Sequence, residues 1–207
     1  MEKELYILGG SGHALIVNEL ARLSGWVVKG YFDRQESKLF AKSIHYMGVE
    51  SEGSIERCLE NAVFFPAIGD NAIRARVAGF ISQNGRKQTT LIHPKSIISS
   101  ESEIDLSSMI GAGAIVNPFA KIGQGVIINS GAIIEHECQI GDFCHIAPGA
   151  TILGNVEIGR NSFIGGNAVV KQGVKIGSVV IVGAGAVVLS NVPDKSIVVG
   201  NPAKLMK

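Results

Sequence analysis

The sequence has little of what nucleic-acid-binding, exported and membrane proteins usually carry. Its formal net charge is +1 and it contains no long run of one sign, which argues against a nucleic-acid or membrane-surface partner. No stretch of 18 or more apolar residues is present, so no transmembrane helix is expected. The first residues lack the small-residue cleavage site of a signal peptide, and the three cysteines are an odd number. We therefore expect reduced thiols and a cytoplasmic protein.

Glycine, by contrast, is abundant, with 26 positions in 207 residues, and much of it belongs to a repeat of six. Seventeen hexads run from Ile92 to Val188 with an aliphatic residue at every sixth position and no phase error. Glycine often follows the aliphatic residue directly, as at Gly111 and Gly123. Small or β-branched residues stand four positions after the aliphatic one, as at Ala114, Ala120, Ala132, Cys138, Cys144, Ala150, Ser162, Ala168 and Ala186.

A period of six fits neither an α-helix, with about 3.6 residues per turn, nor an alternating strand. It predicts a prism with three faces, each formed by one hexad. The aliphatic residue points inward and stacks on its equivalent eighteen residues later, and the small residue fills the corner. The glycine is expected to permit the positive φ that a sharp corner can require. The second part of the chain is therefore predicted to be a β-helix.

The N-terminal segment has a different pattern. Residues 4–8 read as a strand, 14–23 as a helix and 27–32 as a second strand that ends at Asp33. The glycine-rich turn between the first strand and the helix is an imperfect dinucleotide-binding fingerprint, because Leu15 stands where the third glycine belongs. About 90 residues are also too few for a nicotinamide-binding domain.

A third strand, predicted over residues 63–68, ends at the turn 69–71 and leads into a helix through Ile81. Because the carboxyl ends of parallel strands meet at one edge, these turns are expected to lie together there. We predict a small Rossmann-like α/β domain over residues 1–90 with a nucleotide or sugar pocket at that edge. The alternative is a folded cap without a ligand.

One histidine of the repeat stands between two carboxylates. His136 is flanked by Glu135 and Glu137 among apolar and small residues. A carboxylate bonded to one ring nitrogen fixes the tautomer and makes the other nitrogen a better base. Since neighbours on a strand point to opposite faces, Glu137 reaches the ring only if the chain bends there. The alternative is a surface histidine beside two solvated acids.

The chain resembles, over nearly its full length, the sugar O-acyltransferase family of hexapeptide-repeat proteins. That family is typified by sialic-acid O-acetyltransferases and by the UDP-4-amino-sugar N-acetyltransferases of bacillosamine synthesis. The resemblance implies a left-handed parallel β-helix over residues 91–207 and a homotrimer with active sites between neighbouring prisms. It also implies acetyl-CoA as co-substrate. The matching segments, in the family's order, are residues 9–17, 30–33, 67–74, 91–99, 126–150 and 197–206.

The resemblance also implies roles for individual residues. His136 matches the catalytic base, and Glu137 matches the acid that increases its basicity. The matches to acetyl-CoA contacts are His145, Gly166 and Ala184. The matches to nucleotide-sugar contacts are Ser11, Gly12, His13, Asp33 and Gly69.

Two positions depart from the bacillosamine-type members. Arg34 replaces the second of two successive acids, and Ala72 stands where such a member has a glutamate. Arg34 either contacts a phosphate or a different sugar substituent, or is solvated. Lys204 likewise either approaches a CoA phosphate or is solvated. The departures at Arg34 and Ala72 leave the identity of the acceptor sugar undetermined.

We therefore expect an acetyl-CoA-dependent N-acetyltransferase that acts on a nucleotide-linked amino sugar of the UDP-4-amino-4,6-dideoxy type. The enzyme would act in bacterial glycan or surface polysaccharide biosynthesis. No metal cofactor is expected. Direct transfer in a ternary complex needs only a base and donors that steady the oxyanion. The alternatives are an O-acetyltransferase acting on sialic acid or a related sugar, and a non-catalytic nucleotide-sugar-binding trimer.

Two other chemistries are disfavoured by the sequence. An acetyl-cysteine intermediate would need an activated thiol, whereas Cys138 and Cys144 occupy the small inward position of successive hexads and read as corner fillers. A zinc hydratase would need three convergent histidines. The spacing of nine between His136 and His145 is half a coil, which does not place both on one face.

Overall fold

The computed structural model describes residues 3–40 and 44–206. The chain divides into two compact units, Met1–Leu91 and Ile92–Lys207. The first is a small Rossmann-like α/β unit and the second is a left-handed parallel β-helix, so the predicted fold class is confirmed. Within the described residues, no helix is both long enough and apolar enough to cross a membrane.

The N-terminal unit alternates strands and helices along the chain. Its elements are β1 (Lys3–Leu8), α1 (Gly12–Leu23), β2 (Trp26–Phe32), β3 (His45–Tyr46), α2 (Glu52–Ile55), β4 (Val63–Pro66), α3 (Asn71–Gln83) and β5 (Lys87–Gln88). The strands described form a parallel sheet in the order β3-β2-β1-β4-β5. The three predicted strands and two predicted helices are all present. The sequence did not predict β3, α2 and β5, because elements of two to four residues are too short to show a period.

Helix α3 shows how local signals fix one turn at the edge of this sheet. Asp70 caps the helix by accepting a hydrogen bond from the Ile73 N–H at 2.8 Å. Val77 and Ile81, one turn apart, are buried in the same core as Phe64 of β4. Burying each such apolar side chain contributes about 1.5–3 kcal/mol. The cap and this packing hold the turn between β4 and α3 in place.

Up to Val188, the C-terminal unit consists of two-residue strands that recur every six residues and form three faces; two further strands then join one of these faces. The eight-stranded face contains β6 (Leu91–Ile92), β9 (Met109–Ile110), β12 (Ile127–Ile128), β15 (His145–Ile146), β18 (Phe163–Ile164), β21 (Ile181–Val182), β23 (Ile197–Val199) and β24 (Lys204–Leu205). The six-stranded face contains β7 (Ile97–Ile98), β10 (Ile115–Val116), β13 (Ile133–Ile134), β16 (Thr151–Ile152), β19 (Val169–Val170) and β22 (Val187–Val188). The five-stranded face contains β8 (Glu103–Ile104), β11 (Lys121–Ile122), β14 (Gln139–Ile140), β17 (Glu157–Ile158) and β20 (Lys175–Ile176).

The register of the strands confirms the predicted coil of eighteen residues. Ile115 pairs with Ile133, and Ile133 pairs with Thr151, all in parallel. The second residue of a strand points inward, so that Ile134 and Ile152 are fully buried in one continuous core. All nine small residues predicted to fill corners are also fully buried. The chain therefore stacks its coils as the hexad pattern indicates.

The role predicted for the glycines that follow the aliphatic residues was wrong. None of the glycines at this position, Gly111 and Gly165 among them, has a positive φ. A Cβ would instead lie 2.8 Å from the Ser130 nitrogen at Gly111 and 2.5 Å from the Ala184 nitrogen at Gly165, so these glycines let neighbouring coils approach closely. The positive φ falls two residues later, at Gly113 among others.

The outward side chains differ between the faces. On the five-stranded face they are polar, and two ion pairs join neighbouring coils, Lys121–Glu103 at 3.5 Å and Lys175–Glu157 at 2.8 Å. On the six-stranded face they are aliphatic except for one threonine. We call these outward residues the aliphatic column: Ile97, Ile115, Ile133, Thr151, Val169 and Val187. A continuous apolar surface of this kind is typical of a surface that another protein covers.

Candidate functional site

The imidazole and carboxylate singled out in the sequence are in contact. His136 and Glu137 lie at the corner between β13 and β14, with His136 Nδ1 3.0 Å from Glu137 Oε2. The two side chains are 50% and 61% exposed, so the ring is open to a ligand. Glu137 has a φ of 61°. This left-handed backbone supplies the bend that the contact between adjacent residues requires.

Backbone hydrogen bonds to both neighbouring coils hold this corner. The Glu137 N–H donates to the Pro118 carbonyl at 3.1 Å, and the Asn155 N–H donates to the His136 carbonyl at 2.9 Å. The Glu137 backbone is thus bonded to the coil below and the His136 backbone to the coil above, so the stacked coils hold the two residues beside each other. The pair is therefore preorganised by the fold.

The partner of Nδ1 decides which ring nitrogen is available for chemistry. An ionised carboxylate only accepts hydrogen bonds, so the His136 Nδ1–H is the donor to Glu137. In the neutral ring the lone pair is then on Nε2, which can accept a proton. The carboxylate also stabilises the imidazolium that protonation forms. This arrangement suits a general base.

A second polar pair, between Asn129 and His145, involves a residue that the sequence did not single out. Asn129 Nδ2 lies 3.2 Å from His145 Nε2. The Ser130 N–H donates to Asn129 Oδ1 at 2.8 Å, which fixes the orientation of the amide. Nδ2 therefore donates to His145 Nε2, and the proton of the neutral His145 ring is on Nδ1. The edge of the ring also packs on Phe163, with centroids 5.1 Å apart.

Asn129 carried a signal in the sequence that was not used. Along the eight-stranded face, the position after the aliphatic residue is otherwise small in the central coils, with Gly111, Ala147, Gly165 and Gly183. A buried asparagine in this series stands out, because a buried amide needs hydrogen-bonding partners.

The residues predicted to contact acetyl-CoA lie at a different place from His136. His145 points outward from β15 on the eight-stranded face. Gly166 and Ala184 occupy equivalent positions in successive coils, at the corner between the eight-stranded and six-stranded faces. His136 instead lies at the corner between the six-stranded and five-stranded faces. One chain alone thus places the two sets of residues at separate corners.

The cysteines of the β-helix are built into its core. Cys138 and Cys144 are both fully buried. The Cys138 thiol donates to the Leu153 carbonyl at 3.2 Å, and the Cys144 thiol donates to the Gly159 carbonyl at 3.1 Å. Burial raises the pKa of Cys138, which disfavours the thiolate that a covalent intermediate needs. Both therefore serve as corner fillers.

A metal centre would require several ligands at one place. In the described part of the chain, no three side chains among His, Cys, Asp and Glu come together as metal ligands. The zinc-hydratase hypothesis thus has no set of protein ligands among these residues.

In the N-terminal unit, Asp33 ties the ends of two strands together. Its Oδ2 accepts a hydrogen bond from the Gly10 N–H at 2.7 Å, and its Oδ1 accepts one from the Arg34 N–H at 2.6 Å. Ser11, Asp33 and Arg34 line a cavity of about 270 Å³ at the carboxyl ends of the strands. Two of the residues predicted to contact the nucleotide sugar, Ser11 and Asp33, therefore share one cavity with Arg34, for which contact and solvation were both left open.

The other three predicted residues, Gly12, His13 and Gly69, do not line that cavity. A Cβ at Gly69 would lie 3.8 Å from the His13 side chain, so these two are neighbours. Burial, together with the positive charge of Arg74, lowers the pKa of His13 to about 4. His13 is thus neutral at pH 7.

Arg74 is a further residue for which no role was predicted from the sequence. It is 1% exposed. Its guanidinium donates to the carbonyls of Ile68 and Gly69 at 3.1 and 3.0 Å, and to Asn71 Oδ1 at 2.8 Å. These hydrogen bonds hold the turn that contains Gly69 in place.

The lowered pKa of His13 predicts that the protein is less stable in mild acid. The unfolded chain binds this proton with the ordinary pKa of 6.5, whereas the folded chain binds it only near pH 4. The free energy of unfolding therefore falls as the pH drops from about 6.5 to about 4. We expect this histidine to account for a loss of about 2 kcal/mol between pH 7 and pH 5, measured by urea unfolding.

His13→Gln tests this by removing the titrating group, and it should flatten the pH dependence by that amount. The matched control is His45→Gln, because His45 is exposed on β3. The two variants should differ in slope whatever their stability at pH 7. Equal slopes in the wild type and His13→Gln would contradict the prediction.

Comparisons with known proteins cover both units. Residues 4–80 match the PglD N-terminal domain family. Residues 119–154, 137–172 and 155–190 match the bacterial transferase hexapeptide family, six repeats.

Solved structures extend this similarity to nearly the whole chain. A mutant of perosamine N-acetyltransferase from Caulobacter crescentus, in complex with CoA and GDP-perosamine, is 32% identical with a TM-score of 0.93. That match covers 99% of this chain and 97% of the other. The acetyltransferase domain of PglB from Neisseria gonorrhoeae FA1090, in complex with acetyl coenzyme A, is 32% identical with a TM-score of 0.91 and full coverage of both chains. The chain belongs to the hexapeptide-repeat sugar acyltransferase family.

Proposed function

We propose that this chain transfers the acetyl group of acetyl-CoA to the amino group of a nucleotide-linked amino sugar, in bacterial glycan or surface polysaccharide biosynthesis. The contact of His136 Nδ1 with Glu137 at 3.0 Å carries the proposal, since it orients a base whose Nε2 can take a proton. The similarity to a perosamine N-acetyltransferase and to the PglB acetyltransferase domain supports the substrate class.

The reaction is a direct transfer within a ternary complex. The amine nitrogen attacks the thioester carbonyl while His136 Nε2 removes one of its protons, and Glu137 stabilises the imidazolium. The C–S bond then breaks, the acetamide forms, and the proton is returned to the CoA thiolate. Donors near His145, or backbone N–H groups, would stabilise the developing oxyanion.

We propose that the active site is completed between subunits of a homotrimer. Two features support this: His136 and the acetyl-CoA residues Gly166 and Ala184 lie at different corners of one chain, and the aliphatic column is an apolar surface between those corners. Packing neighbouring prisms through the aliphatic column would bury this surface and bring one chain's His136 near another chain's acetyl-CoA groove.

The N-terminal unit is proposed to bind the nucleotide sugar. The cavity lined by Ser11, Asp33 and Arg34 supports this role, and Arg34 is exposed there with a charge suited to a phosphate. Gly12, His13 and Gly69 would act from the adjoining turns. Lys204 is exposed on β24, where either contact with a CoA phosphate or solvation fits. A cytoplasmic location is supported by the three free thiols, all within described residues.

A thiol-release assay tests the proposal. Acetyl-CoA is supplied with GDP- and UDP-linked 4-amino sugars, with sialic acid and with their non-aminated counterparts, and the product is identified by mass spectrometry. Acetylation of a nucleotide-linked amino sugar at nitrogen is expected. Turnover of hydroxyl acceptors alone would replace the proposal by sugar O-acetylation, and nucleotide-sugar binding without turnover of any acceptor would favour a binding trimer.

A further inference from the structure

One corner position of the β-helix recurs every eighteen residues and is occupied by several residue types. At this position the coils are in register, since the Asn155 N–H donates to the His136 carbonyl at 2.9 Å and the Gly173 N–H donates to the Gly154 carbonyl at 3.0 Å. Gly154 therefore lies one coil above His136. The residues at this position are Ser100, Pro118, His136, Gly154, Gln172 and Ser190.

The backbone at Gly154 does not require glycine. Its φ is outside the left-handed region, and the positive φ of the corner belongs to the next residue, with 56° at Asn155 and 61° at Glu137. Other coils place serine, proline and glutamine at the same position. Conformational freedom therefore does not explain the missing side chain.

The space above His136 does explain it. A Cβ at Gly154 would lie 2.6 Å from both Cε1 and Nε2 of His136, and 3.3 Å from Cδ2. The imidazole thus occupies the volume that a side chain would fill. The edge against Gly154 carries Nε2, while Nδ1 on the other side is held by Glu137 at 3.0 Å. A methyl group there would require the His136 ring to shift, and that ring is tied to Glu137 through Nδ1.

We propose that Gly154 is a positioning residue for the catalytic base. It provides the recess in which the His136 ring lies and keeps Nε2 open to the acceptor amine. This inference rests on the function proposed above. A methyl group at position 154 would displace the ring from Glu137 and move Nε2 out of line with the amine, at no cost to the backbone.

Gly154→Ala tests the inference. We expect kcat to fall by about 10²-fold, as for an ångström-scale misplacement, with the KM for acetyl-CoA and the melting temperature nearly unchanged. The ¹⁵N resonance of His136 Nδ1 should move as the hydrogen bond to Glu137 weakens. Gln172→Ala is the matched control, because it places alanine at the same corner one coil above Gly154, and it should leave turnover and the resonance unchanged.

A double mutant separates this inference from the proposed function. In a His136→Ala background, Gly154→Ala should cause no further loss, because there is no ring to displace. Wild-type turnover and an unmoved resonance in Gly154→Ala, with His136→Ala inactive, would overturn the inference while leaving the function intact. If His136→Ala itself turns over normally, acetyl transfer stands but His136 is not its base, and the resonance in Gly154→Ala still decides whether Gly154 positions the ring: displacement supports it and no change overturns it.

Discussion

Replacing His136 by alanine is expected to lower kcat for acetyl transfer by about 10²–10⁴-fold, the range in which a positioned general base contributes. The amine would then lose its proton only to solvent. Because His136 is half exposed at a corner, its removal should leave the coil stack and the melting temperature nearly unchanged. The measurement is thiol release from acetyl-CoA at saturating acceptor, with acetyl-CoA binding followed by calorimetry.

The matched control for this variant is Ser100→Ala, at the same corner two coils below, which should keep full activity. Glu137→Gln keeps a hydrogen-bonding side chain but removes the charge, so it should lose less activity than His136→Ala. A His136→Ala protein that retains more than about half of the wild-type turnover would be incompatible with general-base catalysis by this ring.

Introducing a charge into the aliphatic column should have the other large effect. Ile115→Lys places an ammonium where the proposed trimer packs, and an unpaired buried charge costs several kcal/mol. The variant should dissociate into protomers and lose at least about 100-fold in activity, since each 1.4 kcal/mol is tenfold in an equilibrium. Light scattering after size exclusion should show about one third of the wild-type mass.

The control for Ile115→Lys is Gln139→Lys, which puts the same charge at the equivalent strand position of the polar five-stranded face. It should remain assembled and active. A wild-type protein with the mass of one protomer and full activity would contradict the shared site, and so would an Ile115→Lys protein that stays assembled.

Much of the fold could be predicted from the sequence because the hexad repeat encodes it directly. An inward aliphatic residue every six positions sets the faces, and a small residue four positions later sets the corners. The outcome is visible in Ile134 and Cys138, both fully buried. The glycines were misread, because a close approach such as that of Gly165 to the next coil depends on backbone packing that spacing alone does not reveal.

The proposed catalytic pair, His136 and Glu137, could be singled out in the sequence because the two residues are adjacent and polar among apolar residues. Their contact could only be stated as conditional on a bend, since the left-handed φ of Glu137 is a property of the folded corner. Contacts across coils, such as that of Asn129 with His145, were not predicted from the sequence. Arg74 was not predicted either, because two of its partners are the backbone carbonyls of Ile68 and Gly69, which residue types do not reveal.

Chemical rescue of His136→Ala by imidazole tests the proposed base most directly. With a saturating acceptor, added imidazole should raise turnover of the variant in proportion to its concentration, because a free base enters the space that the side chain vacated. The wild type should not respond. Turnover by the variant at the wild-type rate, whether or not imidazole is present, would contradict the assignment of His136 as the residue that takes the proton of the amine.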